Sequence, residues 1–418
     1  MGSDACIAKK RTPCRPSEVR RREQHSCPQT RLPYTHIVWR QLPLLSPISL
    51  CHGKVRKSAA REHYGADMDN KPRIGFIITK AETGGAQRWT LDQIRLLQDD
   101  IHPFLITGED QWLTQTLVAL SPLILPDLLR RLPSPSGLMR LRRYLLDNNI
   151  SVLVASSANA GVYARLVKLF IPRLRVIYVS HGWSSIYNGG KLASIYTLAE
   201  RLLSTLTDLV INVSKADARK CSEKLNIPPG KTITLTNRTP KPTRQPANLP
   251  PKPVKLLFLG RLAHPKRPDL LIDAVSCFSQ EELTLTVVGS GPAQKEMQAN
   301  APNNVFFAGE VQAFDQFHLY HALCLISESE GLPMSALEAK AYGLPLLLSD
   351  VGGCHELVGA GNGILCNNTP ESVRHSIDQL IANIDDMQSA ARASASDAWL
   401  EPTKSDYLSA YLGAESGI

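Results

Sequence analysis

The sequence predicts an α/β protein built from two doubly wound domains. Short apolar strands alternate with helical segments over residues 73–240, and the same alternation starts again after a proline-rich stretch at residues 241–254. Such alternation is typical of parallel sheets covered by helices on both faces. A chain of 418 residues with 43% hydrophobic content is long and apolar enough for two such domains. Ligands of this fold bind at the carboxyl ends of strands, so we expect the site in the cleft between the domains.

The segment ahead of the first strand differs from the rest of the chain. Residues 1–67 are basic and contain prolines, and they show neither a helical nor a strand period. Their apolar run, HIVWRQLPLLSPISL, is too interrupted and too far from the start to be a secretory signal. We interpret this segment as a non-native or disordered extension and expect the protein to start at Met68. The later segments are a first domain, a linker, a second domain and a C-terminal helical segment, at residues 68–240, 241–254, 255–390 and 391–418.

The first domain begins with an apolar strand at Arg73–Thr79. The loop TGGAQ follows and leads into a helix at about residues 88–98, whose Trp89, Ile94 and Leu97 share one face. Paired glycines after a strand let a ligand approach the backbone at a helix N-terminus, although an ordinary turn has the same composition. Further strands or helices are predicted at residues 151–155, 161–170, 175–179 and 208–213, with Ser214 as an N-cap.

The first domain also contains a histidine at the end of a strand and a basic amphipathic segment. His181 follows a strand directly, a position expected for a site residue, although a packed or capped histidine is the alternative. A basic amphipathic helix is predicted at about residues 137–147, after two prolines. It is either a membrane-surface element or the solvated face of a packed helix. Its basic residues and those just before it are Arg130, Arg131, Arg140, Arg142 and Arg143.

The second domain repeats the strand-and-helix pattern. A strand at residues 255–259 leads into the loop GRLAHPK, which holds Arg261 and Lys266. Arginine offers a two-pronged contact to a diphosphate and lysine a point charge, so the pair suits a phosphate group. A helix at about residues 268–276 follows. The later elements are strands at residues 283–288, 305–307, 346–350 and 363–365, and an amphipathic helix at residues 398–412.

The stretch Ser327–Pro345, SESEGLPMSALEAKAYGLP, combines two carboxylates with a helix start. An apolar strand precedes it, so Glu330 lies at a strand's carboxyl end, and Glu338 lies one to two turns into the next helix. Gly343 is a plausible residue to end that helix. Two glutamates eight positions apart are alone no more than polar helix residues. Beside a helix N-terminus that attracts anions, they suit a nucleotide sugar, with Glu338 accepting from ribose hydroxyls.

Composition narrows the class of protein further. Residues 68–245 contain 24 Lys and Arg against 13 Asp and Glu, whereas residues 246–418 contain 10 against 20. The basic first half is therefore expected to face an anionic partner. The nine cysteines include no C-x2-C pair, which favours free thiols in a reducing compartment over a zinc site. No run of about 18 apolar residues occurs that would predict a transmembrane helix.

These motifs together resemble a known family. GRLAHPK, VVGSGP, FAGEV and EGLPMSALEAKAYGLPLLLSDVGGCHELV are similar to the retaining family-4 glycosyltransferases of the GT-B fold. TGGAQRW, VSHGW and VSKADARKCSEKLNIPPGKTITLTN resemble the matching parts of their first domain, and the likeness covers roughly residues 71–412. It implies two Rossmann-like domains that face a cleft, with the C-terminal helix packing back towards the N-terminal domain.

The resemblance also implies roles for individual residues. Arg261 and Lys266 would neutralise the donor diphosphate beside Gly85, Glu330 and His181 would contact the donor sugar, and Glu338 would hold the ribose. Asn237-Arg238 stands where the family usually has Asn-Gly, which puts a donor role of Asn237 in doubt, and Pro333 supplies no backbone N–H. The remaining implied donor contacts are Val311, Gly331, Leu332, Met334 and Ser335.

The chemistry implied by the resemblance is transfer of a sugar from a UDP- or GDP-linked donor with retention of configuration. A donor phosphate oxygen takes the acceptor proton, and neither an obligatory metal nor a further cofactor is expected. The acceptor would be a glycan or a lipid-linked glycan that the basic first domain binds. The protein is expected in the cytoplasm, attached peripherally to the inner face of the membrane. Synthesis of cell-surface polysaccharide or lipopolysaccharide is the expected context.

Two other classes stay open at this stage. A nucleotide-sugar epimerase shares the fold, and it would release a free altered sugar without an acceptor. A catalytically silent module would bind the donor without turnover. A nucleic-acid-binding protein would explain the basic first half, but no helix-turn-helix or aromatic–basic strand pattern supports it, so we expect no nucleic-acid partner.

Overall fold

Two parallel sheets form the framework of the protein in this computed structural model. The structure describes residues 71–183, 193–244, 247 and 249–413. The predicted extension at residues 1–67 and the proposed start at Met68 lie outside the described residues. Within the described ranges, both sheets have the alternating strand and helix connections that the sequence predicts.

The first sheet contains seven described strands in the order β3-β2-β1-β4-β5-β6-β7, all parallel. Their central members are almost continuous runs of Val, Ile and Leu, as expected for strands covered on both faces. The strands are β1 Arg73–Ile78, β2 His102–Thr107, β3 Leu123–Ile124, β4 Val152–Ala155, β5 Arg175–Ser180, β6 Leu209–Asn212 and β7 Thr232–Thr234.

The helices of the first domain follow these strands in turn. The predicted N-cap is confirmed, because Ser214 Oγ accepts from the backbone N–H of Asp217 at 3.0 Å. The basic helix begins at Pro135, two residues earlier than predicted, because a proline at the first helical position loses no helical hydrogen bond. The helices are α1 Gly85–Leu97, α2 Trp112–Thr116, α3 Pro135–Asp147, α4 Ala158–Lys168, α5 Ala193–Ser204 and α6 Lys215–Lys220.

The second sheet contains six described strands in the order β10-β9-β8-β11-β12-β13, again all parallel. One hydrophobic core unites both of its faces. The strand predicted at residues 305–307 continues to Gly309. The strands are β8 Val254–Leu259, β9 Leu283–Val288, β10 Val305–Gly309, β11 Ala322–Leu325, β12 Leu346–Ser349 and β13 Gly363–Cys366.

Two helices of the second half of the chain agree with the sequence prediction, those that start at Pro268 and at Met334. The helix expected after Pro333 begins at Met334, and Gly343 ends it in a left-handed conformation with φ of 73°. The helices are α7 Pro268–Val275, α8 Gln294–Ala299, α9 Met334–Ala341, α10 Pro370–Ala382, α11 Ile384–Ala393 and α12 Lys404–Leu412.

The chain passes between the domains twice, and the two passages are hydrogen-bonded to each other. The Thr239 N–H donates to Ala398 O, and the Leu400 N–H donates to Thr239 O, both at 2.9 Å. The extended backbone that Trp399 adopts for this pairing interrupts helical structure, so the prediction of one helix over residues 398–412 was wrong. The α-helix starts only at Lys404.

The C-terminal helix α12 belongs to the core of the N-terminal domain. Tyr407 and Tyr411 are buried against Phe76 of β1 and Trp89 of α1, in one cluster with the apolar side chains of the central strands. The Tyr411 hydroxyl also donates to Gln93 Oε1 at 3.2 Å. The expectation that the C-terminal helix packs back towards the first domain is therefore confirmed.

This packing predicts that removing a buried ring of α12 destabilises the protein. Tyr411→Ala should lower the free energy of unfolding by about 3–5 kcal/mol, the usual range for removing a buried aromatic ring. Chemical denaturation followed by tryptophan fluorescence measures this, with Leu412→Ala as the control because Leu412 lies on the same helix and is 43% exposed. Equal losses for the two variants would contradict the assigned packing.

Candidate functional site

A cleft of about 940 Å³ lies between the carboxyl ends of the two sheets. The described residues belong to one compact unit, and both domains contribute to the cleft's walls. All eleven residues predicted to form the site line it: Gly85, His181, Arg261, Lys266, Val311, Glu330, Gly331, Leu332, Met334, Ser335 and Glu338. Their common location follows from the fold, whereas their individual roles stay predictions.

The turn at Glu330-Gly331 occupies the centre of the cleft. It is held by backbone contacts that leave no room for side chains, because a Cβ at Gly352 would lie 1.7 Å from Glu330 O. Gly352 also has a φ of 54°, a conformation that favours glycine. On the opposite side, a Cβ at Gly331 would lie 3.0 Å from His181 O. The turn is therefore fixed between the second domain's own loop and the first domain.

Lys266 and Glu330 form an ion pair at the floor of the cleft. The Lys266 Nζ donates to Glu330 Oε1, and their side chains are 19% and 10% exposed. The loop that carries Lys266 is fixed by the backbone, since the Arg267 N–H donates to Ile326 O at 2.9 Å and the Glu328 N–H to Pro265 O at 2.8 Å. These backbone contacts hold the loop of Lys266 beside the segment that leads to Glu330.

Arg261 is exposed at the edge of the cleft, in the same loop as Lys266. Among the described residues it forms no ion pair or side-chain hydrogen bond. Its guanidinium is therefore available to an anion. This availability distinguishes it from Lys266, whose charge is already balanced by Glu330.

Two helix N-termini open into the cleft without a side-chain cap. Helix α9 starts after Pro333 and helix α1 after Gly84, and neither of these residues offers a capping hydrogen bond. The helices approach closely, since a Cβ at Gly85 would lie 3.4 Å from Met334 Cγ. The first backbone N–H groups of a helix carry a partial positive charge. Both helices therefore favour an anion in the cleft.

His181 presents a neutral imidazole to the cleft. Burial lowers the pKa of His181 to about 4. Its ring packs edge-on against Trp89, with centroids 5.1 Å apart, and its Nε2 has no hydrogen-bond partner among the described residues. An unpartnered buried nitrogen costs about 1–3 kcal/mol.

Glu338 lies deeper in the cleft, and its environment disfavours its charge. Burial raises the pKa of Glu338 to about 7, although the positive charge of Arg88 acts in the opposite direction. The Arg88 Nε lies 3.7 Å from Glu338 Oε1 and 3.2 Å from Asp92 Oδ2. Desolvation likewise raises the pKa of Asp92, to about 6.

The sequence reasoning missed several residues of this cleft. Arg88 stands inside the motif TGGAQRW, but its direction across the cleft could not be inferred from the motif. Trp112 of α2 and Phe314 after β10 also line the cleft, and no signal in the sequence marked them. Asn237 does reach the cleft despite the Arg238 that follows it. It is 2% exposed, and its Oδ1 has no partner among the described residues.

Arg238 makes a side-chain contact that the glycine usual at this position of the family could not make. Its Nη1 donates to Trp399 O at 3.3 Å, which ties the loop to the second passage between the domains.

Within the described ranges, no group of three or more His, Cys, Asp and Glu side chains could hold a metal ion. The same part of the chain contains no helix with the length and hydropathy needed to cross a membrane.

The fold and the cleft define the class of protein. Two parallel Rossmann-like sheets that face a common cleft form the GT-B architecture. Among solved structures, Anabaena HepE in complex with UDP and glucose matches with a TM-score of 0.67 at 18% identity, covering 82% of this chain and 99% of HepE. The galactosyltransferase WaaB of the lipopolysaccharide outer core matches with a TM-score of 0.63 at 18% identity, over 82% and 99%. At this identity the matches show the fold.

Sequence comparison identifies the family. The model for glycosyl transferases group 1 matches residues 241–396, and the model for glycosyltransferase family 4 matches residues 83–239. The O-antigen biosynthesis glycosyltransferase WbnH of Escherichia coli is 43% identical over 342 residues, which cover 81% of this chain and 99% of WbnH. The chain therefore belongs to the glycosyltransferase family that these two models and WbnH represent, as its motifs indicated.

The raised pKa of Glu338 predicts a pH-dependent cost of folding. The unfolded carboxyl ionises near its ordinary value of 4.5 and the folded one near about 7, so ionisation opposes folding as pH rises between these values. Glu338→Gln should therefore gain stability relative to wild type from pH 5 to pH 8. Melting temperatures across this range test it, and a constant difference between the two proteins would contradict it.

Proposed function

We propose that this protein transfers a sugar from a nucleoside-diphosphate sugar to a hydroxyl of a glycan or lipid-linked glycan, with retention of configuration. One observation carries the proposal: a basic loop, two uncapped helix N-termini and two glutamates meet in a single cleft between the domains. This arrangement supplies an anion site beside hydrogen-bond acceptors, which are the two needs of a nucleotide sugar.

The donor diphosphate would lie between Arg261 and the N-terminus of α9. Arg261 is free to move onto it, and Lys266 would turn from Glu330 towards the phosphate oxygens. Glu330 would then accept hydrogen bonds from the sugar hydroxyls. These contacts place positive charge where negative charge grows as the diphosphate leaves, and such preorganised groups are a main source of catalysis.

The proposed reaction requires no protein base. The bond between the sugar's anomeric carbon and the diphosphate oxygen breaks, and the acceptor oxygen forms the new bond on the same face. The acceptor proton passes to an oxygen of the departing diphosphate. A histidine with a pKa of about 4 is neutral at physiological pH, so His181 is suited to a hydrogen bond with the sugar and unsuited to storing a proton. We infer no requirement for a metal or further cofactor.

The relatives support a context for this reaction. WbnH is an O-antigen biosynthesis glycosyltransferase, and WaaB is a lipopolysaccharide galactosyltransferase. We therefore propose a role in surface-polysaccharide assembly at the cytoplasmic face of the inner membrane. HepE was solved with UDP and glucose, whereas a relative from Mycobacterium tuberculosis, 25% identical over 142 residues, is GDP-mannose-dependent. Both UDP- and GDP-linked donors are therefore candidates.

A surface of the first domain suits contact with anionic lipid. We call residues 129–132 together with Met139 and Arg143 the basic apolar surface. Leu129, Leu132 and Met139 are 44%, 76% and 45% exposed, and the arginines between and beside them are exposed too. Apolar side chains interleaved with cations are typical of elements that lie on a membrane. Arg140 is excluded from this surface because it pairs with the buried Asp127.

Neutralising the basic apolar surface should weaken membrane binding. The triple variant Arg130→Gln, Arg131→Gln and Arg143→Gln should lose roughly a hundredfold in affinity for vesicles rich in anionic lipid, because each of the three cations contributes ~1 kcal/mol there. Co-sedimentation measures the loss. A control with the same charge change replaces Arg173, Lys224 and Lys295, which are exposed elsewhere. Equal vesicle binding by the two triple variants would contradict the proposal that the basic apolar surface contacts the membrane.

A donor screen tests the proposed activity. Among UDP-, GDP- and ADP-sugars, one donor should raise the melting temperature of the wild type and be slowly hydrolysed. Lys266→Ala and Glu338→Ala should each abolish most of this shift, since each loses a charged contact of about 1.5–3 kcal/mol. Lys295→Ala is the control because Lys295 is exposed and does not line the cleft.

The screen also separates the alternatives. With an acceptor glycan present, NMR of the product should show the anomeric configuration of the donor, and inversion would contradict the retaining mechanism. Release of a free epimerised sugar would identify an epimerase. Donor binding without turnover on any acceptor would identify a silent binding module, and no shift with any donor would remove the proposed function.

A further inference from the structure

We propose that Arg88 is a positioning residue for the donor ribose: anchored by the buried Asp92, it reaches across the cleft and holds Glu338 for the ribose hydroxyls. The inference rests on the proposed function, because it assumes that Glu338 binds a nucleoside. It adds a contribution of the first domain to a contact made otherwise by the second domain alone.

The geometry assigns Arg88 to both domains. It lies in the first turn of α1, directly after the glycine loop, and its side chain is 27% exposed. Its Nε donates to Asp92 Oδ2, one turn further along the same helix, at 3.2 Å. The same Nε lies 3.7 Å from Glu338 Oε1 on α9. The guanidinium thus bridges a carboxylate of each domain.

The distance to Glu338 leaves its oxygens free for a ligand. At 3.7 Å the two groups attract each other as charges but are too far apart for a hydrogen bond. No described residue donates a hydrogen bond to the Glu338 carboxylate. Arg88 can therefore favour its charge and fix its position without occupying the oxygens that ribose hydroxyls would need.

Burying Asp92 lowers the stability of the fold, and a role as the anchor of Arg88 would explain why the residue is buried there. It is 2% exposed, and its Oδ1 has no hydrogen-bond partner among the described residues. A buried carboxylate with one unpartnered oxygen costs stability. A role in setting the direction of Arg88 gives a reason for that cost, because an unanchored arginine has many rotamers.

The charges around Glu338 predict that replacing Arg88 and replacing Asp92 shift the pKa of Glu338 in opposite directions. Arg88 lowers the pKa of Glu338, whereas Asp92 raises it. The other groups involved are Arg95 and Glu401 beside Asp92, and Tyr342 on α9's end near Arg88. Removing Arg88 should therefore move the ionisation of Glu338 to higher pH. Removing the charge of Asp92 should move it to lower pH.

The test compares UDP with 2′-deoxy-UDP, and GDP with 2′-deoxy-GDP, by calorimetry from pH 5.5 to pH 8.5. The deoxy ligand lacks a hydroxyl that Glu338 would accept from, so the ratio of the two affinities reports the ribose contact alone. For the wild type we expect a ratio of about tenfold above pH 7, which equals ~1.4 kcal/mol. The ratio should fall at lower pH as Glu338 becomes protonated.

The variants should change this ratio in distinct ways. Arg88→Gln should reduce it to about twofold and shift its fall to higher pH, and Arg88→Lys should restore part of it. Asp92→Asn should shift the fall to lower pH. Arg173→Gln is the control, because Arg173 is exposed and remote from the cleft. Melting temperatures show whether each variant is folded, and Arg88→Lys replaces Arg88→Gln if the latter is not.

The outcomes separate this inference from the proposed function. A wild-type ratio that Arg88→Gln and Arg88→Lys leave unchanged at every pH would overturn the role of Arg88 while the nucleotide site stands. Shifts of the same sign for the Arg88→Gln and Asp92→Asn variants would also overturn it. A wild type that binds neither UDP nor GDP would remove the proposed function and the inference together.

Discussion

The close contact of backbones around Glu330-Gly331 is the constraint on which the cleft depends. Gly352 touches the carbonyl of Glu330 from one side, and Gly331 meets the backbone of His181 from the other. A side chain at Gly352 would collide with the Glu330 carbonyl, and one at Gly331 would require the His181 backbone to shift. Because the contact involves main-chain atoms, it sets the backbone positions of Glu330 and His181 relative to each other. The backbone of the site is therefore fixed at the point where the two domains meet.

Within this frame, the charged groups of the cleft balance one another. Lys266 is paired with Glu330, and Arg88 lies between Asp92 and Glu338. Opposite charges held this way lower the cost of burial in the absence of a ligand. An arriving diphosphate would exchange one carboxylate partner for another anion, so the net change in buried charge is smaller than for an empty basic pocket. Arg261, which forms no ion pair with the residues that the structure describes, would supply the additional positive charge.

Much of this molecule could be predicted from its sequence, and the exceptions have physical causes. The strand-and-helix rhythm predicted both sheets because buried parallel strands must be apolar on both faces. The motifs predicted which residues would meet, since carboxyl ends of parallel strands share one edge. The contacts of Arg88 with Glu338 and of Arg140 with Asp127 were not foreseen, because a side chain's direction depends on partners elsewhere in the fold. The start of α12 was missed because Trp399 pairs with Thr239, 160 positions earlier.

The placement of α12 has a consequence for biosynthesis. The second domain has its whole sheet and core by residue 400 and can fold as it leaves the ribosome. The first domain is translated earlier but lacks Tyr407 and Tyr411 until residues 404–412 have been made. Its sheet therefore keeps an uncovered apolar strip through most of translation. A chain that terminates early should be defective in the domain that was completed first in sequence, and such a chain offers chaperones an exposed surface far from the break.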